Sequence, residues 1–544
     1  MMRYACLFSA LVIMSLTLAA CDSVLDENIV SGITADDHYS TPEGFEDAVR
    51  AAYVHLRSFY GDEQGSTLTV FGTDEFTNGG HGNFHYMNQY TAALNSEASP
   101  FWHVWSQFYQ GINTCNTIVN RAADVDLPDN LKNIRVAEAR FLRAHYYFIL
   151  VQFFGPLHLT LEETVGVETE ARRDPESDVY RAIVEDLEFA IANLPPTQSD
   201  YGRATKPAAE NMLALVLLTR GYRDFAESDD FARAAELAKG VIENYDFTLL
   251  DDFAAVFDHD NERHAEVIWS VQYTSDPLYN GPGNRSHLFY RPWYEFYNPA
   301  VVRSGEPGYG RPWIRFRPTQ WALENFRPLD VDARYDKSFQ TVWYYNDANN
   351  PNLPPDAAVG DTAIWITEQN LTEAEVAAAE ARIPGLVFTW YNRPINMFPS
   401  LNKFDDFKRP SVNEEAGSRD YMVYRLAETY LIAAEALLMD GRANEAVGYI
   451  NAVRRRAAHP GMESQMEITT ADLTIDFILD ERARELYGEQ KRWFDLKRTG
   501  KLLERVRAYN PEAAPNIQEH HVLRPIPANQ ITRTVGGYEQ NPGY

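Results

Sequence analysis

Aromatic residues are concentrated in one stretch of the sequence, 277–345, where 17 of 69 residues are aromatic, well above the 13% of the whole chain. Flat aromatic faces bind the C–H surface of a sugar, and amides, carboxylates and guanidinium groups bind its hydroxyls. We predict that six residues of this stretch point outward and bind a ligand: Arg291, Trp293, Tyr294, Trp313, Trp343 and Tyr344. The alternative for each is that it packs the stretch onto the rest of the fold.

A second segment, 71–90, is rich in glycine, asparagine and aromatic residues and supplies complementary polar groups. Helical periodicity fails between residues 61 and 99, which predicts a long loop, and long ordered loops are usually functional. The candidate ligand contacts in this loop are Asp74, Asn78, Asn83 and Asn88, with Phe84 and Tyr86 as possible platforms for a sugar ring.

Hydrolysis of a glycan would need a different arrangement, namely two carboxylates that face each other about 5 to 9 Å apart. The pairs Asp74–Glu75 and Asp405–Asp406 are adjacent in sequence, so their side chains would diverge on a regular element. Binding without catalysis is therefore the leading interpretation, and a surface glycoside hydrolase is kept as an alternative.

Metal and phosphate chemistry are poorly supported. His81 and His85 have the spacing of zinc ligands on a helix, but three glycines at positions 79, 80 and 82 disfavour a helix there. The sequence GPGNRS at 281–286 lacks the third glycine and the lysine of a phosphate loop. We predict neither a metal nor a cofactor.

Charge and cysteine content exclude further classes. The chain of 62.0 kDa has a formal net charge of -29, which would repel nucleic acid and anionic lipid, so no nucleic-acid partner is predicted. Neutral or cationic small ligands remain open. Once the leader and the lipidated cysteine described below are set aside, only Cys115 remains, so the fold has no disulfide framework and must be stabilised by core burial.

Apolar residues at helical spacing indicate that helices position these loops. The first begins at Thr41 and Pro42, which fit the cap and first turn of a helix. The other predicted helices cover 101–121, 133–154, 177–192, 206–225, 230–245, 421–439 and 443–457. Ala434 and Ala446 are twelve residues apart, as are the small residues of a tetratricopeptide repeat. The prediction is a mainly α fold built from about four tetratricopeptide-like helical hairpins.

A large irregular insertion, 273–417, interrupts this scaffold between the third and fourth helix pairs. It is rich in proline, glycine and asparagine, has strand-like pieces such as 341–345, and contains one plausible helix, 373–381, with Thr372 and Glu375 as a capping box. The predicted regions are 38–272, 273–417 and 418–544. At the end of the chain, Pro525 and Pro527 argue against a helix.

The N-terminus has the features of an exported lipoprotein. Residues 1–20 are predicted to be a signal peptide. A short start that contains Arg3 is followed by an apolar stretch, 5–20, that is too short to span a membrane. The leader ends Leu-Ala-Ala-Cys, which predicts lipid attachment at Cys21 and a lipidated tether over 21–37. Multiple acyl chains on one residue would hold the protein firmly on a membrane.

The run ERARELYGEQKRWFDLKRTG at 481–500 resembles the C-terminal signature of the SusD/RagB family of nutrient-uptake lipoproteins. Other matches follow in order, including AEARFLRAHYYFILVQFFGPLHL at 137–159, YGRATKPAA at 201–209 and YRLAETYLIAAEALL at 424–438. The resemblance implies four tetratricopeptide-like units, a ligand site made by the 71–90 loop with the insertion, and a position over a SusC-like TonB-dependent transporter. It also implies lipid anchoring to the cell outer membrane, facing the exterior.

The signature residues themselves are expected to pack helix against helix rather than contact a ligand. They are Arg140, Arg143, Arg425, Glu428, Glu435, Arg482, Glu485, Trp493 and Asp495. The leading hypothesis is a surface lipoprotein that captures an oligosaccharide, or another nutrient such as a peptide, without catalysis. The third class considered is a tetratricopeptide scaffold that binds peptides or proteins.

Overall fold

The computed structural model describes residues 38–369 and 371–544. The predicted signal peptide, the lipidated Cys21 and the tether lie outside the described residues. With 45% helix and 8% strand, the structure confirms the mainly α class. Among the described residues, no helix combines the length and the apolar content that crossing a membrane requires.

Most of the helical content of the described residues lies in eight long helices. In chain order, the helices before the insertion are α1 (Pro42–Val54), α2 (Glu63–Thr69), α3 (His85–Gln89), α4 (Ser99–Arg121), α5 (Asp129–Phe154), α6 (Glu176–Asn193), α7 (Lys206–Arg220) and α8 (Asp230–Glu243). The remaining helices are α9 (Ser286–Phe289), α10 (Tyr294–Tyr297), α11 (Gln320–Glu324), α12 (Arg334–Ser338), α13 (Glu373–Glu380), α14 (Leu426–Met439), α15 (Ala443–Arg456), α16 (Glu463–Met466), α17 (Ile475–Glu485), α18 (Arg492–Arg498), α19 (Leu502–Tyr509) and α20 (Ala528–Arg533).

The long helices pack in a continuous series. Helix α1 packs on α4, α4 on α5, α5 on α6, α6 on α7, α7 on α8, α8 on α14 and α14 on α15. Each pair thus covers the apolar face of the next, as in a helical solenoid. Although about 180 residues of sequence separate them, α8 and α14 are direct neighbours, so the insertion leaves the scaffold and the chain returns to it.

Close helix crossings depend on small residues. In α4, a Cβ on Gly111 would lie 2.7 Å from the ring of Tyr146 in α5, so only glycine fits there. The Tyr146 hydroxyl in turn donates a hydrogen bond of 2.5 Å to the carbonyl of Ala52 in α1. One tyrosine therefore ties three helices together. Ala434 and Ala446, predicted from their spacing, are both fully buried.

Within the part of the chain that the structure describes, nine short strands form four small sheets. Three are pairs: β1 (Phe76–Asn78) with β3 (Phe316–Pro318), β2 (Val267–Val271) with β9 (Tyr421–Arg425), and β4 (Phe339–Gln340) with β8 (Ser400–Leu401). The fourth has the order β5 (Val342–Tyr344), β6 (Thr362–Ile366) and β7 (Leu386–Phe388). All pairs are antiparallel except β6–β7. The β2–β9 pair joins the two points where the chain leaves and re-enters the helical scaffold.

Three local predictions are corrected by the structure. The helix predicted from residue 421 begins only at Leu426, because the first five residues form β9. The loop predicted over 61–99 contains α2, β1 and α3. The C-terminal prolines do not prevent a helix, because Pro527 precedes the first residue of α20 and its missing N–H is not needed there.

The caps predicted from sequence are confirmed. Thr41 accepts a hydrogen bond from the backbone N–H of Gly44 at 3.1 Å, and Pro42 occupies the first turn of α1. Thr372 and Glu375 form the reciprocal capping box of α13. In both helices, side chains next in sequence satisfy backbone donors that the first turn leaves unpaired.

The insertion shares the main hydrophobic core of the scaffold. Leu288, Phe289 and Phe316 belong to the same buried cluster as residues of α1 and α5. A second, smaller core lies within the insertion and includes Tyr294 and Trp343. The insertion is therefore held by two cores, one that it shares with the helical scaffold and one of its own.

The family signature forms a buried network of ion pairs. Arg482 pairs with Asp495 at 2.7 Å, Arg498 with Glu435 at 2.8 Å, and Arg425 with Glu485 at 2.7 Å. The prediction that signature residues pack helix against helix is confirmed for the buried members of the set: Arg143, Arg425, Glu428, Glu435, Arg482, Glu485, Trp493 and Asp495. Arg140 is partly exposed and lies over the ring of Phe189.

Candidate ligand-binding site

The 71–90 segment and the insertion meet in one backbone ladder. Strand β1 pairs with β3, with Asn78 opposite Phe316. The pairing continues past the strands, because the N–H of Gly79 donates to the Arg315 carbonyl at 3.0 Å and the N–H of His81 donates to the Ile314 carbonyl at 3.3 Å. This ladder brings the tip of the first long connection against the aromatic-rich stretch.

Backbone conformation explains the residue types in this ladder. A Cβ on Gly79 would lie 2.6 Å from the carbonyl oxygen of Ile314, so the two chains can approach only at a glycine. Ile314 has a φ of 58°, which is strained for a β-branched residue and costs about 1–3 kcal/mol. In this conformation the N–H groups of the two flanking residues, Trp313 and Arg315, donate to the carbonyls of Leu288 and Phe289. The carbonyl of Ile314 itself accepts from the N–H of His81.

Four rings define what we call the aromatic surface: His81, Trp293, Phe296 and Trp313. Trp293 and Phe296 are stacked with ring centroids 4.5 Å apart, and His81 meets Trp293 edge-on at 4.6 Å. Phe296 is 57% exposed, and Trp293 and Trp313 are half-buried. Trp293 is fixed by a backbone hydrogen bond of 2.9 Å to the Asn396 carbonyl. The surface is therefore accessible and held rigidly.

Polar groups surround these rings. The Arg315 guanidinium lies over the Trp313 ring at 4.9 Å and donates to Glu63 at 2.5 Å. Burial raises the pKa of Glu63 above its usual value, although Arg315 opposes that rise. Asn83 is exposed at the loop tip, so its amide is available to a ligand. A cation and an amide beside flat rings can bind hydroxyl groups as well as C–H surfaces.

Other predicted contacts in the loop have structural roles. The Asn78 side chain is buried and accepts a hydrogen bond from the N–H of Gly80 at 2.7 Å, which shapes the turn. Asn88 is fully buried and hydrogen-bonded to Asn510 at 2.9 Å. Phe84 and Tyr86 pack partly against the main core, with their rings 6.3 Å apart.

Three residues predicted to point outward are buried, so that part of the prediction is wrong. Trp343 and Tyr294 are fully buried and stack on each other with centroids 6.0 Å apart. Arg291 is 3% exposed and pairs with Asp405. All three hold the turn at 308–310. Tyr294 and Trp343 donate hydrogen bonds to its carbonyls. Arg291 acts through its partner Asp405, which accepts from the N–H of Gly308. Aromatic type alone cannot distinguish this role from ligand contact.

Asp74 is also a structural residue. It is completely buried and accepts hydrogen bonds from Arg492 at 2.7 and 2.6 Å and from Arg505 at 2.7 Å. Burial alone would raise the pKa of Asp74, but the two guanidinium groups hold it below its usual value. The carboxylate is fully used inside the protein and lies out of reach of a surface ligand.

Tyr344 is the last predicted contact, and it is 46% exposed on β5, outside the aromatic surface. Conversely, the sequence analysis does not include His81, Phe296 and Arg315 among the candidate ligand contacts, although the structure places them at this surface. Phe296 follows Trp293 by three residues, which is the spacing at which helical side chains meet, so that pair had a local signal. His81 and Arg315 are brought to this surface by the β1–β3 ladder, for which the sequence has no local signal.

The fold and the site together define a class of protein: a helical-repeat scaffold that presents a rigid, loop-built aromatic surface. Comparison with known families agrees. The model of the SusD family matches residues 265–544, and a model described as starch-binding and associating with the outer membrane matches residues 35–218. The chain belongs to the SusD family, as its signature indicated.

Individual relatives cover nearly the whole chain. SusD-like protein P2 of Formosa agariphila is 28% identical over an alignment of 557 positions that covers 98% of each chain. The starch-binding protein SusD of Bacteroides thetaiotaomicron is 25% identical and covers 75% of this chain and 72% of its own. A solved laminarin-binding SusD-like protein has a TM-score of 0.70 at 24% identity and covers 93% of this chain and 100% of its own, which shows a shared fold.

Proposed function

We propose that this protein is a cell-surface lipoprotein that binds an oligosaccharide at the aromatic surface without cleaving it. The observation that carries the proposal is the β1–β3 ladder, because it brings His81 against Trp293 and places exposed Phe296 and Asn83 nearby. Rigid rings and fixed polar groups bind sugars with little loss of side-chain freedom.

The names of similar proteins support a glycan as the ligand class. One relative is a starch-binding protein, one solved structure binds laminarin, and another is a surface glycan-binding protein A of Bacteroides thetaiotaomicron in complex with laminarihexaose.

Delivery to a partner is the second part of the proposal. Lipid attachment at Cys21 would hold the protein on the outer membrane, facing the exterior, above a SusC-like TonB-dependent transporter that takes up the captured glycan. The leader and its cysteine box support the anchor, and membership of the family supports the transporter.

Alanine replacements at the aromatic surface test the binding site. Trp293→Ala and Phe296→Ala should each weaken binding of a polysaccharide that the wild type retains in affinity electrophoresis by about tenfold or more, because each removes a ring that a sugar would cover. Tyr279→Ala is a matched control, since Tyr279 is 71% exposed and lies elsewhere, beside Arg57.

The outcomes separate the three function classes. Equal affinity of the wild type and both surface variants would contradict the proposed site. Release of shorter sugars from the bound glycan would contradict a non-catalytic role and favour the hydrolase. Binding of peptides that is unchanged in Trp293→Ala would favour a tetratricopeptide scaffold that binds peptides.

A further inference from the structure

A second concave site lies in the insertion, between α11 and the segments that flank residues 368 and 390. It is a cleft of about 550 Å³, a volume within the range of small-molecule sites. Its principal lining residues are Gln320, Glu324, Arg327, Glu368, Gln369 and Trp390. None of these was predicted from sequence to bind a ligand.

The aromatic residue of this cleft is held rigidly. The Arg393 guanidinium lies over the Trp390 ring at 4.3 Å and donates to Glu368 at 2.8 Å, so a cation fixes two lining residues together. The turn that follows Trp390 is closed by Asn392, whose side chain accepts from the N–H of Thr389 at 2.7 Å. A half-buried tryptophan fixed in this way loses little freedom when a ligand binds.

Several polar groups of the cleft remain available. Arg327 is exposed and forms no ion pair with any residue that the structure describes. Gln369 is likewise exposed. On α11, the Gln320 side chain donates to Glu324 at 2.7 Å, which orients the exposed carboxylate of Glu324. Donors and acceptors therefore surround one indole ring, and no excess of positive charge would select an anion.

The cleft is close to the aromatic surface. Residues 313–320 run from Trp313 to Gln320, and seven residues span at most about 25 Å. Residues 390–396 make a second connection, because Trp390 lines the cleft and Asn396 holds Trp293. Six residues span at most about 22 Å. The two sites are thus separate but within reach of one oligosaccharide chain.

We propose that the Trp390 cleft is a second saccharide-binding site, which takes a neutral, hydroxyl-rich sugar. The indole of Trp390 contacts the C–H face of the sugar, while Arg327, Gln369 and the carboxylate of Glu324 bind its hydroxyls. This extends the proposed function, since it gives a long glycan two points of attachment, but the cleft stands on its own residues. Two attachments raise affinity for long chains because the second contact is intramolecular.

The test uses variants that leave the fold intact. Arg327→Ala and Gln369→Ala remove exposed side chains, and each should weaken binding to laminarin, soluble starch or whichever polysaccharide of a plant and algal panel retards the wild type, by about two- to tenfold. Trp390→Ala should weaken it by about tenfold or more. Tyr391→Ala is the control, because Tyr391 is the next residue, is 73% exposed and is absent from the cleft lining.

Each result has one meaning. Weaker binding in Arg327→Ala and Gln369→Ala, with Tyr391→Ala unchanged, supports the second site, even if Trp293→Ala has no effect and the proposed site at the aromatic surface fails. Loss of binding only in Trp293→Ala and Phe296→Ala overturns the second site and leaves the proposed function in place. A wild type that no polysaccharide in the panel retards overturns both.

Discussion

Asp74 and Glu75 are neighbours in sequence, yet their carboxyl groups are stabilised in opposite ways. Asp74 accepts hydrogen bonds from two arginines, whereas one oxygen of Glu75, Oε2, has no hydrogen-bond partner among the described residues. Burial raises the pKa of Glu75 to about 8, and Arg492 at 3.8 Å only partly opposes this. Two acids that looked alike in sequence are therefore a buried anion and a buried neutral carboxyl.

The protonation of Glu75 makes stability depend on pH. A carboxyl in the unfolded chain has its ordinary pKa of about 4.5, so between about pH 4.5 and 8 the folded state binds a proton that the unfolded state releases. The contribution of Glu75 to the free energy of unfolding is therefore complete below about pH 4.5 and is lost as the pH rises through about 8. Glu75→Gln removes this titration.

Between pH 5 and 8, we expect the free energy of unfolding to fall less for Glu75→Gln than for the wild type. The difference between the two falls should be up to a few kcal/mol. Urea unfolding at several pH values in this window measures the difference. Other groups titrate equally in both proteins, so the comparison isolates Glu75. Parallel stability curves for the two proteins would show that Glu75 is ionised in the fold.

At the scale of elements, the contact between α4 and α5 depends on the absence of one side chain. Gly111→Ala would push a methyl group into the Tyr146 ring, which has no free space because its hydroxyl is bonded to α1. We expect the free energy of unfolding to fall by about 1–3 kcal/mol. Gly448→Ala in α15 is the control, since among the described residues a Cβ there meets no atom within 4 Å apart from its chain neighbours and the backbone of its own helix.

The control should be neutral or slightly stabilising, by up to about 1 kcal/mol, because alanine is the better helix former. Thermal or urea denaturation followed by circular dichroism compares both variants with the wild type. Equal stability of Gly111→Ala and Gly448→Ala would mean that the α4–α5 crossing is looser than the structure indicates.

The helical scaffold could be predicted from sequence because its signals are local. Apolar stripes and caps lie within each helix, so Thr41 and the Thr372–Glu375 box predicted helix starts that the structure confirms. The strands gave weaker signals. Strands β1 and β3 have three residues each and pair across about 240 residues of sequence, and no local pattern specifies such a partner.

Prediction of the site is limited in the same way, because its geometry depends on contacts between residues far apart in the sequence. Trp293 and Tyr294 are adjacent aromatics, but the first is partly exposed and the second is fully buried. Composition indicates the stretch that contains the candidate ligand contacts. It does not indicate which of its side chains are exposed, because exposure depends on how the insertion packs. In the sequence, His81 has only the spacing of a zinc ligand, since its contact with Trp293 is made by the fold.

For the molecule as a whole, the proposed attachment to the membrane depends on a single residue, Cys21. Cys21→Ala should move the protein from the membrane fraction to the soluble fraction, because lipidation of that cysteine is the proposed anchor. Fractionation followed by immunoblotting measures the change, and Cys115→Ala is a control that keeps the lipoprotein box intact. Continued membrane attachment of Cys21→Ala would contradict the anchor.

We propose that ligand recognition belongs to a surface built jointly by the first long connection and the insertion. A crystal structure of the protein with a glycan that it binds tests this most directly. We expect a sugar ring packed against Trp293, Phe296 or Trp313, with the Asn83 amide within hydrogen-bond reach. A glycan bound only on the paired helices, with these rings uncovered, would contradict it.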